Sequence, residues 1–346
     1  MATRPGSSGC ITDVPGVRVG HAQRTGRGWR TGTTVVHVPA GAVGGVDVRG
    51  GGPGTHETDL LRPENMVQHL HAVCLTGGSA YGLAAATGVM LELERRGTGF
   101  PVGAAADHVV PIVPAAVIYD LGRGGSFTNR PDAGFGRRAL IAGRATPCAE
   151  GSVGAGTGAV AGGLQGGVGT ASITLLTGVV VGAIAVLNSA GSVIDPSTGL
   201  PWEAAGHHLR RPSAAHRAAL AARAEQLRTP LNTTIGVVAT SASLTKAECS
   251  KFASVAHDGL ARAVRPAHSL FDGDTVFALS TGTEPVAQSA DGMAARARAV
   301  ALSGVLEAGA QCFAIACTRA LLAARSWPGG PPSYRDLCPS AIDRWA

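Results

Sequence analysis

Aromatic side chains are scarce in this chain of 346 residues, where Phe, Tyr and Trp together make up 4 %. That excludes a core built on large rings and points to small side chains between closely packed layers. Charged residues are also few, at 15 %, and the net charge of +6 is spread along the chain with no long Lys/Arg run and no interleaved aromatics. A nucleic-acid partner is therefore not expected. No Cys-x-x-Cys pair occurs among Cys10, Cys74, Cys148, Cys249, Cys312, Cys317 and Cys338, an odd number that suits buried thiols in a reducing compartment better than a disulfide frame or a zinc site. The first nine residues contain no apolar stretch of the kind a signal peptide needs, so cytoplasmic residence is expected. The apolar run Ile173 to Leu187 is interrupted by Thr177, Gly178 and Gly182 and is too short to span a bilayer. It reads instead as a pair of buried strands, and no membrane association is expected.

What is abundant is glycine, at 50 residues, beside 45 % hydrophobic residues. The length allows two average domains or one large layered domain. Val-rich runs between Gly16 and Val48 predict a meander of short strands. The loop Arg49 to Thr55 is glycine-rich but lacks both the lysine of a phosphate-binding GxxxxGK[ST] loop and the GxGxxG spacing, so it is read as a tight loop shaping a pocket. Ala72 to Thr76 predicts a buried strand. Ser79 would cap a following helix from Ala80 to Arg96, which Gly97 ends. Ser79 does not sit in a G-x-S-x-G elbow. Pro111 to Asp120 predicts a strand that carries Tyr119 at its end, and Arg123 to Arg138 reads as a loop.

After a glycine-rich run from Gly151 to Ser172, Gly182 to Asn188 is strand-like, and Asn188 at its end would ordinarily be a turn former. Pro201 to Arg228 predicts two helical pieces and an exposed tail. His207 and His208 are adjacent, so a helix would point them to different faces, and no Cys or carboxylate cluster accompanies them as metal ligands. Leu244 to Val264 and Ser289 to Ser326 predict core-facing helices. Asp272 and Asp274 bracket Gly273 before a strand, an Asx-turn arrangement in which the calcium-loop spacing does not continue. Strands and helices thus alternate irregularly in both halves, which fits helical layers outside two stacked sheets.

The chemistry concentrates at Thr229-Pro230-Leu231-Asn232-Thr233-Thr234-Ile235-Gly236-Val237-Val238-Ala239-Thr240, where a polar approach runs into a β-branched strand. Asn232-Thr233-Thr234 also matches a glycosylation sequon, a reading that lapses without a secretory signal. Within a chain a threonine hydroxyl has no base of its own. Cutting the bond before Thr233 would give it an α-amine of pKa about 7.7 to 8.0, close enough to serve as its general base.

Together with Ile11-Thr12-Asp13-Val14-Pro15-Gly16-Val17-Arg18-Val19-Gly20-His21, Leu75-Thr76-Gly77-Gly78-Ser79-Ala80-Tyr81-Gly82-Leu83, Val153-Gly154-Ala155-Gly156-Thr157-Gly158-Ala159 and Asp272-Gly273-Asp274-Thr275, this junction resembles the self-cleaving N-terminal nucleophile hydrolases. That family contains the L-aminopeptidase/D-esterases, the β-aminopeptidases and the nylon-oligomer (6-aminohexanoate-oligomer) hydrolase. The resemblance covers nearly the whole chain. It implies an α/β fold, a four-layer αββα sandwich with two stacked mixed sheets, formed as a single domain from fragments 1–232 and 233–346 after cleavage between Asn232 and Thr233. It further implies Thr233 as nucleophile, Asn188 and Tyr119 as oxyanion donors, and Asp272 and Asp274 as acceptors around the nucleophile, with Gln165 and Thr234 as supporting residues.

No metal or organic cofactor is implied, and the expected partners are a small-molecule amide or oligomer substrate and further copies of the chain, as a tetramer or larger. Two departures from the family pattern stand out. Aminopeptidase members carry a glutamate for the substrate ammonium where this chain has Val117, which draws the reading toward the nylon-oligomer hydrolase. A lysine common near the nucleophile is replaced at the candidate positions Gly163 and Gln165. Aminopeptidase activity on short peptides, amides or esters is the alternative. Acyl transfer of the ornithine acetyltransferase kind and a non-catalytic scaffold that keeps the fold are further alternatives.

Overall fold

The computed structural model describes residues 3–225, 232–286 and 294–342. The main strands are β1 (Arg18–Gly26), β2 (Trp29–Val48), β3 (His69–Thr76), β4 (Ala115–Val117), β5 (Gly167–Leu175), β6 (Val180–Leu187), β7 (Ile235–Ala242) and β8 (Thr275–Glu284). The main helices are α1 (Ala84–Glu94), α2 (Ala133–Ala142), α3 (Ala214–Glu225), α4 (Lys246–Ala263) and α5 (Ala294–Ala323).

One half of the sandwich carries β5, β6, β7, β8 and the C-terminal part of β2 in that order; the other carries β1, the N-terminal part of β2, β3 and β4. The two sheets are not separate. β2 runs through both, pairing Thr33–His37 with Thr76–Ala72 in one and Val43–Val48 with Ser280–Thr275 in the other, with a register shift between His37 and Ala42. Pairing is antiparallel except for β7 with β8 and β3 with β4, so both sheets are mixed.

Three buried clusters define the layers. Val36, Leu70, Val73 and Ile118 meet Val168, Ile184, Val237 and Phe277 between the sheets. α4 and α5 cover the outer face of the first half through Phe252, Ala256, Cys312 and Phe313, and α1 and α2 cover the second through Val89, Leu93 and Phe135. This is the αββα sandwich. Shortage of large side chains has its use at the α5 contact, where a Cβ on Gly169 of β5 would lie 2.1 Å from the Ala316 carbonyl oxygen, so only glycine lets helix and sheet approach this closely. By length and composition α5 could cross a bilayer. Its Phe313, Ala316 and Ala320 are instead buried in the core.

Thr245 caps α4 by accepting from the Glu248 N–H, and the Glu248 carboxylate returns a bond to the Thr245 N–H at 2.8 Å. Elsewhere the local reading needs correction. Ser79 is not a cap: Gly78 (φ 87°) turns the chain, Ser79 itself sits at φ 50°, and no side-chain capping bond forms. Its helix is split into Ser79–Gly82 and α1. Pro111 and Pro114 confine the strand expected over 111–120 to β4. The loop expected over 123–138 ends in α2, capped by Asp132 accepting from Phe135 N at 3.2 Å. Of the two helical pieces expected over 201–228, α3 alone forms among the described residues, and 226–228 lie outside them. The expected C-terminal helix is α5, while 289–293 lie outside the described residues. All seven cysteines are unbonded, and Cys10 Sγ lies 3.2 Å from Cys148 Sγ.

Candidate active site

Strand register assembles the site. Ile235 at the start of β7 pairs with Val186 of β6 on one side and with Thr275 of β8 on the other. Carrying both registers back along the chain sets Thr233 beside Asn188 and Gly273. The Thr233 N–H donates to the Asn188 carbonyl at 2.6 Å, and the Gly273 N–H donates to Thr233 Oγ1 at 3.1 Å. The Thr233 hydroxyl in turn contacts the Asn232 carbonyl oxygen in a short hydrogen bond. Both residues of the junction are buried, each 6 % exposed.

Asn188 is wholly buried, and its amide orientation is fixed by its neighbours. Oδ1 receives hydrogen bonds from Arg123 Nη1 at 2.5 Å and from Val160 N at 3.0 Å. Both partners are donors, so the atom between them must be the oxygen. That leaves Nδ2 buried without a partner. An unpaired amide donor is costly to a resting chain and is available to a negative oxygen formed beside it.

The two carboxylates flank Gly273 without bonding the Thr233 nitrogen. Asp274 Oδ1 accepts the Thr234 N–H at 2.8 Å, and its Oδ2 accepts from His268 N at 3.1 Å and His268 Nδ1 at 2.9 Å. Asp272 accepts from Ser269 N at 3.0 Å, Ser269 Oγ at 2.6 Å and Ala190 N at 3.4 Å. Burial raises the Asp272 pKa against the lowering effect of the Ser269 hydrogen bonds, and the neighbouring Asp274 charge raises it further. The Arg49–Thr55 loop packs against this turn, with Gly52 N donating to the Asp272 carbonyl at 2.8 Å.

A cleft of about 440 Å³ opens on Asn232, with Tyr119, Arg123, Ser189, Arg223 and Trp327 among its walls. Tyr119 is thus brought to the junction, with the Arg123 guanidinium 6.0 Å from its ring centre. Gln165 is not brought into play. Its Nε2 donates to the Ala159 carbonyl at 2.9 Å and its Oε1 accepts from Trp327 Nε1 at 2.9 Å, bonds that hold the cleft wall. Thr234 contributes its backbone N–H, while its hydroxyl is buried without a partner.

Gly163 lies in the cleft wall and cannot supply a cation, but the Arg223 Nε donates to its carbonyl at 2.9 Å. Val117, the apolar departure from the aminopeptidase pattern, is 4 % exposed and packs against Gly54. Arg123, His268 and Ser269 escaped the sequence reading. Arg123 is the most consequential: its guanidinium also donates to the Gly158 carbonyl at 2.9 Å and to Asn232 Oδ1 at 3.2 Å. Burial lowers its pKa to about 10, and Asp120 and Tyr119 oppose that shift, so it remains charged at neutral pH. Among the described residues no three His, Cys, Asp or Glu side chains gather as a metal site would require.

The sequence profile of peptidase family S58 matches residues 9–331. A protein of Mycobacterium tuberculosis described as an uncharacterized aminopeptidase is 52 % identical over 347 residues, covering 96 % of this chain and 98 % of that protein. A 6-aminohexanoate-oligomer endohydrolase from Kocuria sp. is 34 % identical over 281 residues, covering 78 % of this chain and 74 % of its own. Among solved structures, a Burkholderia sp. beta-aminopeptidase superposes with a TM-score of 0.72 at 24 % identity, covering 97 % of this chain and 93 % of that one. The particular likeness expected to the nylon-oligomer hydrolase therefore gives way to a broader one that includes aminopeptidases. The chain belongs to peptidase family S58, and it is an N-terminal-nucleophile threonine hydrolase that acts on small amide or peptide substrates.

Proposed function

We propose that this chain cuts itself between Asn232 and Thr233, and that fragments 1–232 and 233–346 then work together as an aminopeptidase-type hydrolase of short peptides, amides or esters. The observation that carries this reading is the Thr233 hydroxyl, which lies against the carbonyl of its own preceding residue and accepts the Gly273 N–H. Attack by Oγ1 on the Asn232 carbonyl carbon forms a C–O bond. Breaking the C–N bond transfers the hydroxyl proton to the departing nitrogen, and water then hydrolyses the ester to a carboxylate and a free Thr233.

In turnover the Thr233 amine takes the hydroxyl proton and delivers it to the leaving amine of the substrate. The acyl-enzyme is cleared by water. Asn188 Nδ2 and the Tyr119 hydroxyl stabilise the oxyanion, a role worth about 3 to 4 kcal/mol per well-placed donor. Asp274 holds the strand end that carries Thr233, through Thr234, and Asp272 holds the turn that follows Asn188, through Ala190.

The 52 % identity to a mycobacterial protein described as an aminopeptidase supports this substrate class over aminohexanoate oligomers. The oligomer reading rests on the apolar Val117 and the 34 % identity to the endohydrolase. Cytoplasmic residence and a homo-oligomer of cleaved protomers complete the proposal. Intact-mass spectrometry tests the core of it. Wild type yields two pieces, the smaller beginning at Thr233, and Thr233→Ala yields one uncut chain. Cutting of Thr233→Ala at that bond would eliminate the mechanism, and faster turnover of linear aminohexanoate oligomers than of aminoacyl anilides would favour the oligomer reading.

A further inference from the structure

Before the backbone is severed, the acyl group that Thr233 attacks is Asn232 itself. Its side chain shows what the acyl side of the site is built to hold. Arg123 Nη2 donates to Asn232 Oδ1 at 3.2 Å, while Nη1 donates to Asn188 Oδ1 and to the Gly158 carbonyl. The guanidinium is thereby pinned from the Asn188 side and offers its remaining edge to whatever acyl group stands before Thr233. The charged side chains lining the cleft among the described residues are Arg123 and Arg223, and no carboxylate is among them.

When cleavage releases Asn232 from Thr233, a substrate acyl group takes its place and must satisfy the same buried cation. We propose that Arg123 selects the acyl half of the substrate, binding an oxygen of a carbonyl or carboxylate group that is separated from the scissile carbonyl by two carbon atoms, as in asparaginyl, aspartyl or succinamoyl groups. This rests on the reading of Thr233 as nucleophile and adds to it the class of acyl group. An acyl group of equal shape without that oxygen leaves a guanidinium N–H unpaired in the cleft, and sites built around a hydrogen bond discriminate strongly against ligands that lack it. Because the guanidinium is planar and binds Asn188 and the acyl group along different edges, lysine cannot replace it.

Mature enzyme is assayed with two pairs of 4-nitroanilides. Asparaginyl against leucyl compares near-isosteric side chains with an α-amine; succinamoyl against 4-methylpentanoyl repeats the comparison without one. The expected result is a kcat/KM ratio of about tenfold to a hundredfold in favour of the oxygen-bearing member of each pair. Aspartyl anilide should behave like asparaginyl, and Arg123→Gln should collapse both ratios. Ratios at or below unity in both wild-type pairs overturn the proposal, even where Arg123→Gln fails to mature.

A second measurement follows the first turnover. Asn232→Leu should cut itself at least ~tenfold more slowly than wild type; equal rates for the two count against the proposal. Acylation of the smaller fragment by 4-nitrophenyl butanoate, mapped by mass spectrometry, separates the two levels. Active enzyme without an adduct at Thr233 overturns the nucleophile reading itself, whereas an adduct at Thr233 with no acyl preference overturns the role of Arg123 alone.

Discussion

Gly273 stands so close to Thr233 that a methyl group on its Cα would lie 2.9 Å from the Thr233 Oγ1 and 2.8 Å from the Gly52 carbonyl oxygen. Glycine is therefore required for room. Gly273→Ala should displace the hydroxyl while leaving the sheets intact, and a displacement near 1 Å can cost about a hundredfold in rate. Self-cleavage followed by denaturing electrophoresis should slow accordingly, with an unchanged far-ultraviolet circular dichroism spectrum. Wild-type cleavage in this variant would mean that the Gly273 contact does not position the nucleophile.

Asn188→Ala removes the unpartnered Nδ2 donor together with the acceptor that holds Arg123. Asn188→Asp keeps the acceptor and removes the N–H. Both should lower kcat by about 10² to 10³, the range found for lost oxyanion donors. Nearly full activity in Asn188→Asp would show that the amide nitrogen is idle.

Asp274→Ala strips the acceptor from the Thr234 N–H and from two nitrogens of His268. Stability should fall by about 2 to 4 kcal/mol, because buried donors left unpaired cost roughly 1 to 3 kcal/mol each and some will find water. Urea unfolding provides the measurement, and Asp274→Asn, which retains one acceptor oxygen, should lose less.

Acid should destabilise the fold well above the carboxylate range. Burial lowers the pKa of each of His21, His37 and His257 to about 4, with the Arg96 and Arg18 charges adding to the effect at His37. The unfolded chain, with imidazoles near pKa 6.5, binds more protons than the folded chain between about pH 6.5 and 4. The stability these groups contribute is fully present above pH 6.5 and is lost as pH falls toward 4. Each steepens the decline by up to about 1.4 kcal/mol per pH unit. An equal urea midpoint at pH 7 and pH 5 would contradict this assignment.

The strands nearest the chemistry were legible because β-branched runs and the junction at Asn232-Thr233 are local signals. β6, β7 and α4 fall where their patterns predict. Arg123 was not legible. It sits in a glycine-rich loop, and its partners Gly158, Asn188 and Asn232 are between 35 and 109 residues away in sequence. Nothing local separates a buried guanidinium from an exposed one. Gln165 fails for a related reason, since position along the chain could suggest a supporting role but not that its amide would turn toward Trp327. At Ser79 the local pattern suggests a cap, but Gly78 makes the turn in the left-handed conformation and no side-chain capping bond forms.

The placement of β7 and β8 sets what happens once the backbone is cut. β7 is laced to β6 and β8 to β2, so both strands that follow the junction are clasped by strands that precede it. The proposed scission at the threshold of β7 would leave those ladders untouched. The two polypeptides should then stay one body, inseparable by dilution or gel filtration, and part company when the sandwich itself unravels.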